Sequence, residues 1–263
     1  MNRIAKVFEA GQPFIGFVTG GDPSIDKTEE FILAMIEGGA DMIEIGIPFS
    51  DPIAEGPTIQ AASLRALQSG TNVDKLFDMV AALRRKTQIP LLFMTYLNPV
   101  FHYGYERFFA RCQSCGLDGI IIPDLPYEER EEVEAVSNHY GIDLIALVAP
   151  TSKDRIRKIV QDARGFIYTV SSMGVTGVRS DLDHRITQLV HDIKKEATVP
   201  VAVGFGISTP QQARSVVQYA DGVIVGSALV NMIASHQEEA GPFLRDYVQT
   251  MKAAMTAATH SLG

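Results

Sequence analysis

Short apolar runs recur along the chain, and each is followed by a polar stretch whose apolar residues have helical spacing. Runs of this length, bounded by turn-forming residues, are typical of strands buried on both faces. Strands are predicted at 14–19, 43–47, 90–95, 119–123, 143–148, 166–170, 200–203 and 222–225. Helices are predicted between them at 25–37, 58–68, 73–85, 105–115, 128–140, 153–163, 183–196 and 210–219, and from 228 to the C-terminus.

Regular alternation of strand and helix predicts parallel strands joined by right-handed crossovers. Eight such units in about 250 residues predict an α/β fold of the (β/α)₈ or TIM-barrel type, with residues 1–263 forming a single domain. The alternative is a doubly wound open sheet. It is less favoured because no G-x-G-x-x-G follows the first strand and no break in composition marks a second domain.

Composition narrows the functional classes. The 263 residues are 46% hydrophobic and 21% charged, as expected of a soluble globular protein with a sizeable core. Lys+Arg 23 against Asp+Glu 31 gives a net charge of −8, which argues against nucleic acid or an anionic membrane as partner. No apolar run approaches membrane-spanning length, so we expect a cytoplasmic protein. A small anionic substrate remains compatible with this charge.

Several catalytic chemistries are not expected. Cys112 and Cys115 form C-x-x-C at the end of a predicted helix rather than at its start, which favours ordinary helix cysteines over a redox pair. The six histidines lack metal-ligand spacing, so no metal is predicted. No lysine ends a strand, which argues against Schiff-base or pyridoxal phosphate (PLP) chemistry. We therefore expect no cofactor.

One carboxylate, Glu44, lies inside a predicted buried strand, and a second, Glu55, follows in the loop. A buried carboxylate is costly unless it is paired, protonated or catalytic. In a barrel, active sites lie where the strands end at their carboxyl side. Two carboxylates there could divide the roles of general acid and base. A structural acid, hydrogen-bonded to neighbouring backbone, is the alternative for Glu44. Other polar candidates in these positions are Asp22, Tyr96, Asn98, Asp124 and Tyr168.

Glycine-rich loops follow the last three predicted strands, at 171–177, 204–208 and 226–227. Glycine lets backbone N–H groups approach a phosphate, and barrels often bind phosphate in these loops. Ordinary turn formation is the alternative for each glycine taken alone. Together the residues indicate acid–base catalysis by carboxylates on a phosphorylated substrate.

Residues 44–52 (EIGIPFSDP) and 56–60 (GPTIQ) resemble the signature of the tryptophan synthase α subunit family. Shorter runs resemble that family in the same order, at 20–23, 96–101, 124–126, 174–177, 204–208 and 226–228. The resemblance implies a TIM-barrel lyase of tryptophan biosynthesis that cleaves indole-3-glycerol phosphate to indole and glyceraldehyde 3-phosphate. It also implies a PLP-dependent β subunit as partner in an α₂β₂ heterotetramer.

By this resemblance Glu44 is expected to protonate indole C3 and to accept the proton of the glycerol hydroxyl beside the ring. Glu55 would hold the indole N–H, at a place where the family pattern has Asp. Tyr168 is expected near Glu44, and Tyr96 near the indole. The residues that match the phosphate-facing loops are Thr176, Gly177, Phe205, Gly206, Gly226 and Ser227. The loop at 171–180 resembles the lid of the family.

Three alternatives stay open at this point. The chain could be a free-standing lyase with the same chemistry and no partner. It could activate a partner while its own catalysis has decayed, a possibility raised by Glu55. It could also be another phosphate-binding barrel, such as an isomerase or a prenyltransferase, although that would leave the run at 44–60 unexplained.

Overall fold

The computed structural model describes residues 2–150, 155–170, 179–204 and 206–259, without the side chains of 179–184, 258 and 259. Its strands are β1 (Phe14–Thr19), β2 (Met42–Gly46), β3 (Leu91–Met94), β4 (Gly119–Ile121), β5 (Asp143–Leu144), β6 (Ala146–Val148), β7 (Ile167–Val170), β8 (Val201–Gly204) and β9 (Gly222–Val225). All pair in parallel, in the order β5-β4-β3-β2-β1-β9-β8-β7-β6. Because β5 and β6 are consecutive pieces of the predicted fifth strand, interrupted at Ile145, the sheet forms a nearly closed barrel. The predicted fold is confirmed.

Helices alternate with the strands around the barrel. They are α1 (Arg3–Ala10), α2 (Ile25–Glu37), α3 (Pro57–Gln68), α4 (Val73–Arg84), α5 (Leu97–Tyr103), α6 (Tyr105–Cys115), α7 (Glu131–His139), α8 (Ile156–Gln161), α9 (Arg179–Glu196), α10 (Pro210–Val216), α11 (Ser227–His236) and α12 (Ala240–Thr259). Short 3₁₀ turns occupy Tyr127–Glu129 and Gln237–Glu239. Within the described ranges, no helix is long and apolar enough to cross a membrane.

Two helices were not predicted. In α1 the Asn2 side chain accepts the Ile4 N–H at 2.8 Å and so caps the first turn. In α5 the proline at position 99 lies in the first turn, where its missing N–H has no helical partner to lose. Three predicted helices also differ from expectation: 128–140 divides into a 3₁₀ turn and α7, 153–163 ends with α8 at Gln161, and 210–219 ends with α10 at Val216. Residues 153 and 154 lie outside the described residues.

Side chains alternate between the barrel interior and the surrounding helices. Ile15, Met42 and Leu92 belong to one buried cluster inside the barrel, and their sequence neighbours pack outward against the helices. Helix α1 closes the amino-terminal end of the barrel, with Phe8 and Phe166 ring centroids 5.5 Å apart. The carboxyl ends of the strands are therefore the end at which a substrate can enter.

Candidate active site

Glu44 points into the barrel interior, two residues beyond Met42 on the same face of β2. It is fully buried, and neither carboxyl oxygen has a hydrogen-bond partner among the described residues. Burial raises the pKa of Glu44 to about 8. This weighs against a structural acid held by neighbouring backbone. A carboxyl group with this pKa is mostly protonated at neutral pH and can both donate and accept a proton.

Glu55 lies in the loop between β2 and α3, and its side chain is half-buried. One of its carboxyl oxygens is buried without a hydrogen-bond partner among the described residues. Burial raises the pKa of Glu55 to about 7. The two carboxyl groups singled out in the sequence therefore both titrate close to neutral pH, for the same physical reason.

Tyr168 lies inside the barrel on β7, between Leu147 of β6 and Ala202 of β8 in the strand register. Burial raises the pKa of its hydroxyl well above the ordinary value, and the charge of Glu44 raises it further. The hydroxyl is therefore neutral near pH 7. This electrostatic interaction indicates that Tyr168 lies near Glu44.

Tyr96 occupies the position just before α5 and is buried. Its hydroxyl oxygen accepts the main-chain N–H of Ala54 at 3.0 Å, next to Glu55. Burial raises the pKa of Tyr96, and the charge of Glu55 contributes to the rise. The centroid of the Tyr96 ring lies 5.4 Å from that of Phe49, which belongs to the same loop as Glu55.

A cavity of about 470 Å³ opens at this end of the barrel, a volume suited to a small molecule. Glu55 and Tyr168 both line it, and Met94, Ile122 and Leu147 contribute apolar wall. Glu44 is not among the lining residues and lies deeper in the barrel interior. The cavity is thus mainly apolar, with the Glu55 carboxyl group in its wall and Glu44 deeper in the barrel.

Three of the predicted phosphate residues fall on described loops. Gly206 follows β8 with a φ of 70°, a conformation that favours glycine. Gly226 precedes α11, and Ser227 is its exposed first residue. The N–H groups of Gly226 and Ser227 lie at the start of α11, the end of a helix that favours an anion. Thr176, Gly177 and Phe205 lie outside the described residues, as do residues 171–178 of the loop at 171–180 that resembles the family's lid.

Similarity to known proteins covers nearly the whole chain. The family model for the tryptophan synthase alpha chain matches residues 5–260. The tryptophan synthase alpha chain of Lactiplantibacillus plantarum is 49% identical over 260 residues, covering 98% of each chain. That of Lacticaseibacillus casei is 46% identical over 257 residues, covering 98% of this chain and 97% of its own. The chain belongs to the tryptophan synthase alpha chain family.

Solved structures agree with this assignment. Tryptophan synthase subunit alpha of Legionella pneumophila has a TM-score of 0.90 at 36% identity, covering 98% of this chain and 99% of its own. A chain of the tryptophan synthase a2b2 complex of Pyrococcus furiosus has a TM-score of 0.87 at 38% identity, covering 92% and 98%. Alpha chains are lyases of tryptophan biosynthesis, and the α reaction they catalyse, cleavage of indole-3-glycerol phosphate, needs no cofactor. Among the described residues no cluster of metal-binding side chains occurs.

Other polar residues predicted near the strand ends have structural partners. Asp22 is buried and receives two hydrogen bonds from Arg65, at 2.8 and 2.7 Å. Asp124 accepts the Leu97 N–H at 2.8 Å and so caps α5. Asn98 is exposed on α5. None of these three residues lines the cavity.

Sequence reasoning missed several residues that line the cavity. Met94 and Leu147 could have been found from strand alternation, since they share the inward face with Leu92 and Ile145. Arg130 has no comparable signal in the sequence. It reaches the cavity because the 3₁₀ turn before α7 brings its guanidinium 4.3 Å from the Tyr127 ring centroid.

Proposed function

We propose that Glu44 and Glu55 carry the cleavage of indole-3-glycerol phosphate in this chain. The observation that supports this most directly is the Glu44 carboxyl group, fully buried inside the barrel with no hydrogen-bond partner among the described residues. A carboxyl group that is protonated at neutral pH and makes no structural hydrogen bond is suited to transfer a proton to a carbon atom.

In the proposed mechanism the Glu44 carboxyl gives its proton to indole C3, which breaks the aromaticity of the five-membered ring and places positive charge on the ring nitrogen. The resulting Glu44 carboxylate then takes the proton of the glycerol hydroxyl next to the ring. The carbon–carbon bond breaks, its electron pair restores the indole, and the hydroxyl carbon becomes the aldehyde of glyceraldehyde 3-phosphate. Glu44 ends protonated, so the cycle balances.

Glu55 is proposed to hold the indole N–H and to stabilise the positive charge that develops on the ring. Its pKa of about 7 makes the carboxylate available at neutral pH. Tyr168 and Tyr96 would pack beside the indole. Backbone N–H groups would hold the phosphate at the glycine loops, where the residues proposed for it are Thr176, Gly177, Phe205, Gly206, Gly226 and Ser227.

A β subunit is the proposed partner, in an α₂β₂ assembly in which the β subunit holds PLP. Two large apolar side chains at this end of the barrel support a partner: Ile53 is 79% exposed and Phe101 is 66% exposed. The Pyrococcus furiosus structures are described as tryptophan synthase complexes. We further propose that residues 1–263 act as a single domain in the cytoplasm.

The test is release of indole from indole-3-glycerol phosphate, measured with and without a β subunit. Slow release that rises steeply when the β subunit is added is the expected result. Fast release that ignores the β subunit would point instead to a free-standing lyase. If no indole is released in either condition, the proposed reaction is wrong, and the chain is better explained as another kind of phosphate-binding barrel.

A further inference from the structure

Two side chains from outside the loop hold the main chain on either side of Glu55. The Tyr96 hydroxyl accepts the N–H of Ala54 at 3.0 Å. The side-chain amide of Gln60 donates to the main-chain carbonyl of Glu55 at 2.8 Å. The first bond holds the N–H at the start of the Ala54–Glu55 dipeptide, and the second holds the carbonyl at its end. Both ends of the dipeptide are therefore fixed.

One anchor lies on a helix and the other directly precedes one. Tyr96 is buried at the junction of β3 and α5, with its ring against Phe49. Gln60 lies in the second turn of α3, and its own N–H donates to the Gly56 carbonyl at 3.1 Å. The loop is thus fastened to the barrel wall on one side and to the start of α3 on the other.

The Glu55 carboxyl has no comparable hold of its own. Its buried oxygen has no hydrogen-bond partner among the described residues, and the neighbouring side chains of Asp51, Ile53 and Ala54 are exposed. A carboxylate gains solvation by turning toward water. The position of the main chain at residue 55 must therefore determine whether the Glu55 carboxylate points toward the cavity.

We propose that Gln60 and the Tyr96 hydroxyl are positioning residues that clamp the main chain on both sides of Glu55 and so aim its carboxylate at the substrate. The inference rests on the proposed role of Glu55 in holding the indole N–H. A shift of about 1 Å in such a group can lower turnover roughly 100-fold, so a clamp made of two hydrogen bonds is sufficient to matter.

The charged and titratable groups around Glu55 are few enough to interpret a pH profile. Arg130, Arg155, Tyr127 and Tyr168 line the same cavity, and Tyr96 lies beside it. Burial raises the pKa of both Tyr96 and Tyr168, so these two hydroxyls stay neutral near pH 7. Glu44, with a pKa of about 8, is the other group that titrates near neutrality and serves as an internal reference.

The experiment compares Gln60→Met and Tyr96→Phe with the unaltered chain in the indole-release assay, with the β subunit present. Methionine keeps the length of Gln60 without a donor, and phenylalanine keeps the ring of Tyr96 without the hydroxyl. Gln68→Met, in the last turn of the same helix, is the matched control. We expect kcat to fall about 10-fold in each test variant, with KM changing less, and no loss in the control.

The pH profile and a second background separate positioning from general stability. A loosened Glu55 reaches solvent, so the acidic limb of kcat/KM should move to lower pH in the test variants while the limb from Glu44 stays in place. In a Glu55→Gln background the same two substitutions should lower kcat no further. A further drop there, or unchanged kcat and pH profile in the single variants, would overturn the clamp. Normal turnover of Glu55→Gln alone would overturn the proposed function instead.

Discussion

The Tyr168 ring fills the space above Gly204 on the neighbouring strand. A Cβ atom at Gly204 would lie 2.6 Å from the Tyr168 hydroxyl oxygen and 2.7 Å from its ring carbon Cε1. Such distances are too short for real atoms, so any side chain at Gly204 would displace the ring. The absence of a side chain at Gly204, at the end of β8, therefore allows the Tyr168 ring on β7 to occupy its place in the cavity wall.

Gly204→Ala is expected to move the Tyr168 ring and to lower kcat/KM for indole release by about 10-fold. Overpacking of this kind also lowers the free energy of unfolding by about 1–3 kcal/mol. Gly16→Ala on β1 is the control, because its Cβ would meet side chains at 3.4–3.5 Å, an ordinary contact. Equal activity in both variants would show that Tyr168 does not have to keep its place.

Glu55→Asp shortens by one methylene a side chain whose main chain is held at both ends. The family pattern that this sequence resembles has Asp at this position. We therefore expect the Asp variant to keep its activity or to gain activity. Indole release measured beside Glu55→Gln tests this, since the amide removes the charge altogether. A loss beyond about 100-fold, roughly 2.7 kcal/mol, in the Asp variant would mean that this loop has adapted to the longer side chain.

Most of the barrel could be predicted from sequence because a strand buried on both faces leaves a strong local signal. The exceptions have physical causes. The fifth strand is interrupted at Ile145, which a continuous apolar run does not reveal. Helix α1 becomes stable by packing Ile4 and Phe8 on the barrel interior, a contact that local pattern cannot show.

In the candidate site, too, some features could be predicted from the sequence and others could not. Glu44 stands out in sequence because a carboxylate inside an apolar run is unusual, whereas its lack of a hydrogen-bond partner needs coordinates. The bond from Ala54 to Tyr96 joins residues 42 positions apart, and Tyr96 gives no local sign of it. Long-range contacts of this kind depend on the register of β2 and β3.

Arg65→Met should destabilise the protein by about 3 kcal/mol, because it leaves the buried Asp22 carboxylate without its partner. Urea unfolding measures the difference. Lys27→Met is the control, since Lys27 pairs with Glu30 on the exposed surface, where solvent screens the pair and little stability depends on it. Similar small losses in both variants would show that the Asp22–Arg65 pair does not hold the loop after β1.

Stability should depend on pH through Glu44. Burial raises its pKa from 4.5 to about 8, so between these values the folded chain binds more protons than the unfolded chain. The free energy of unfolding is therefore highest below this window, where Glu44 is protonated in both states, and it falls as the pH rises through the window. Glu44→Gln should be nearly neutral at about pH 4 and stabilising by a few kcal/mol at about pH 9. Urea unfolding at both pH values checks this, and a difference independent of pH would contradict it.

The most direct test of the proposed mechanism is the turnover of Glu44→Gln in the indole-release assay with the β subunit present. Glutamine keeps the shape of the side chain and cannot exchange the proton that indole C3 requires. We expect kcat to fall at least about 100-fold while circular dichroism and binding to the β subunit stay unchanged. Turnover close to that of the unaltered chain would show that Glu44 does not transfer the proton.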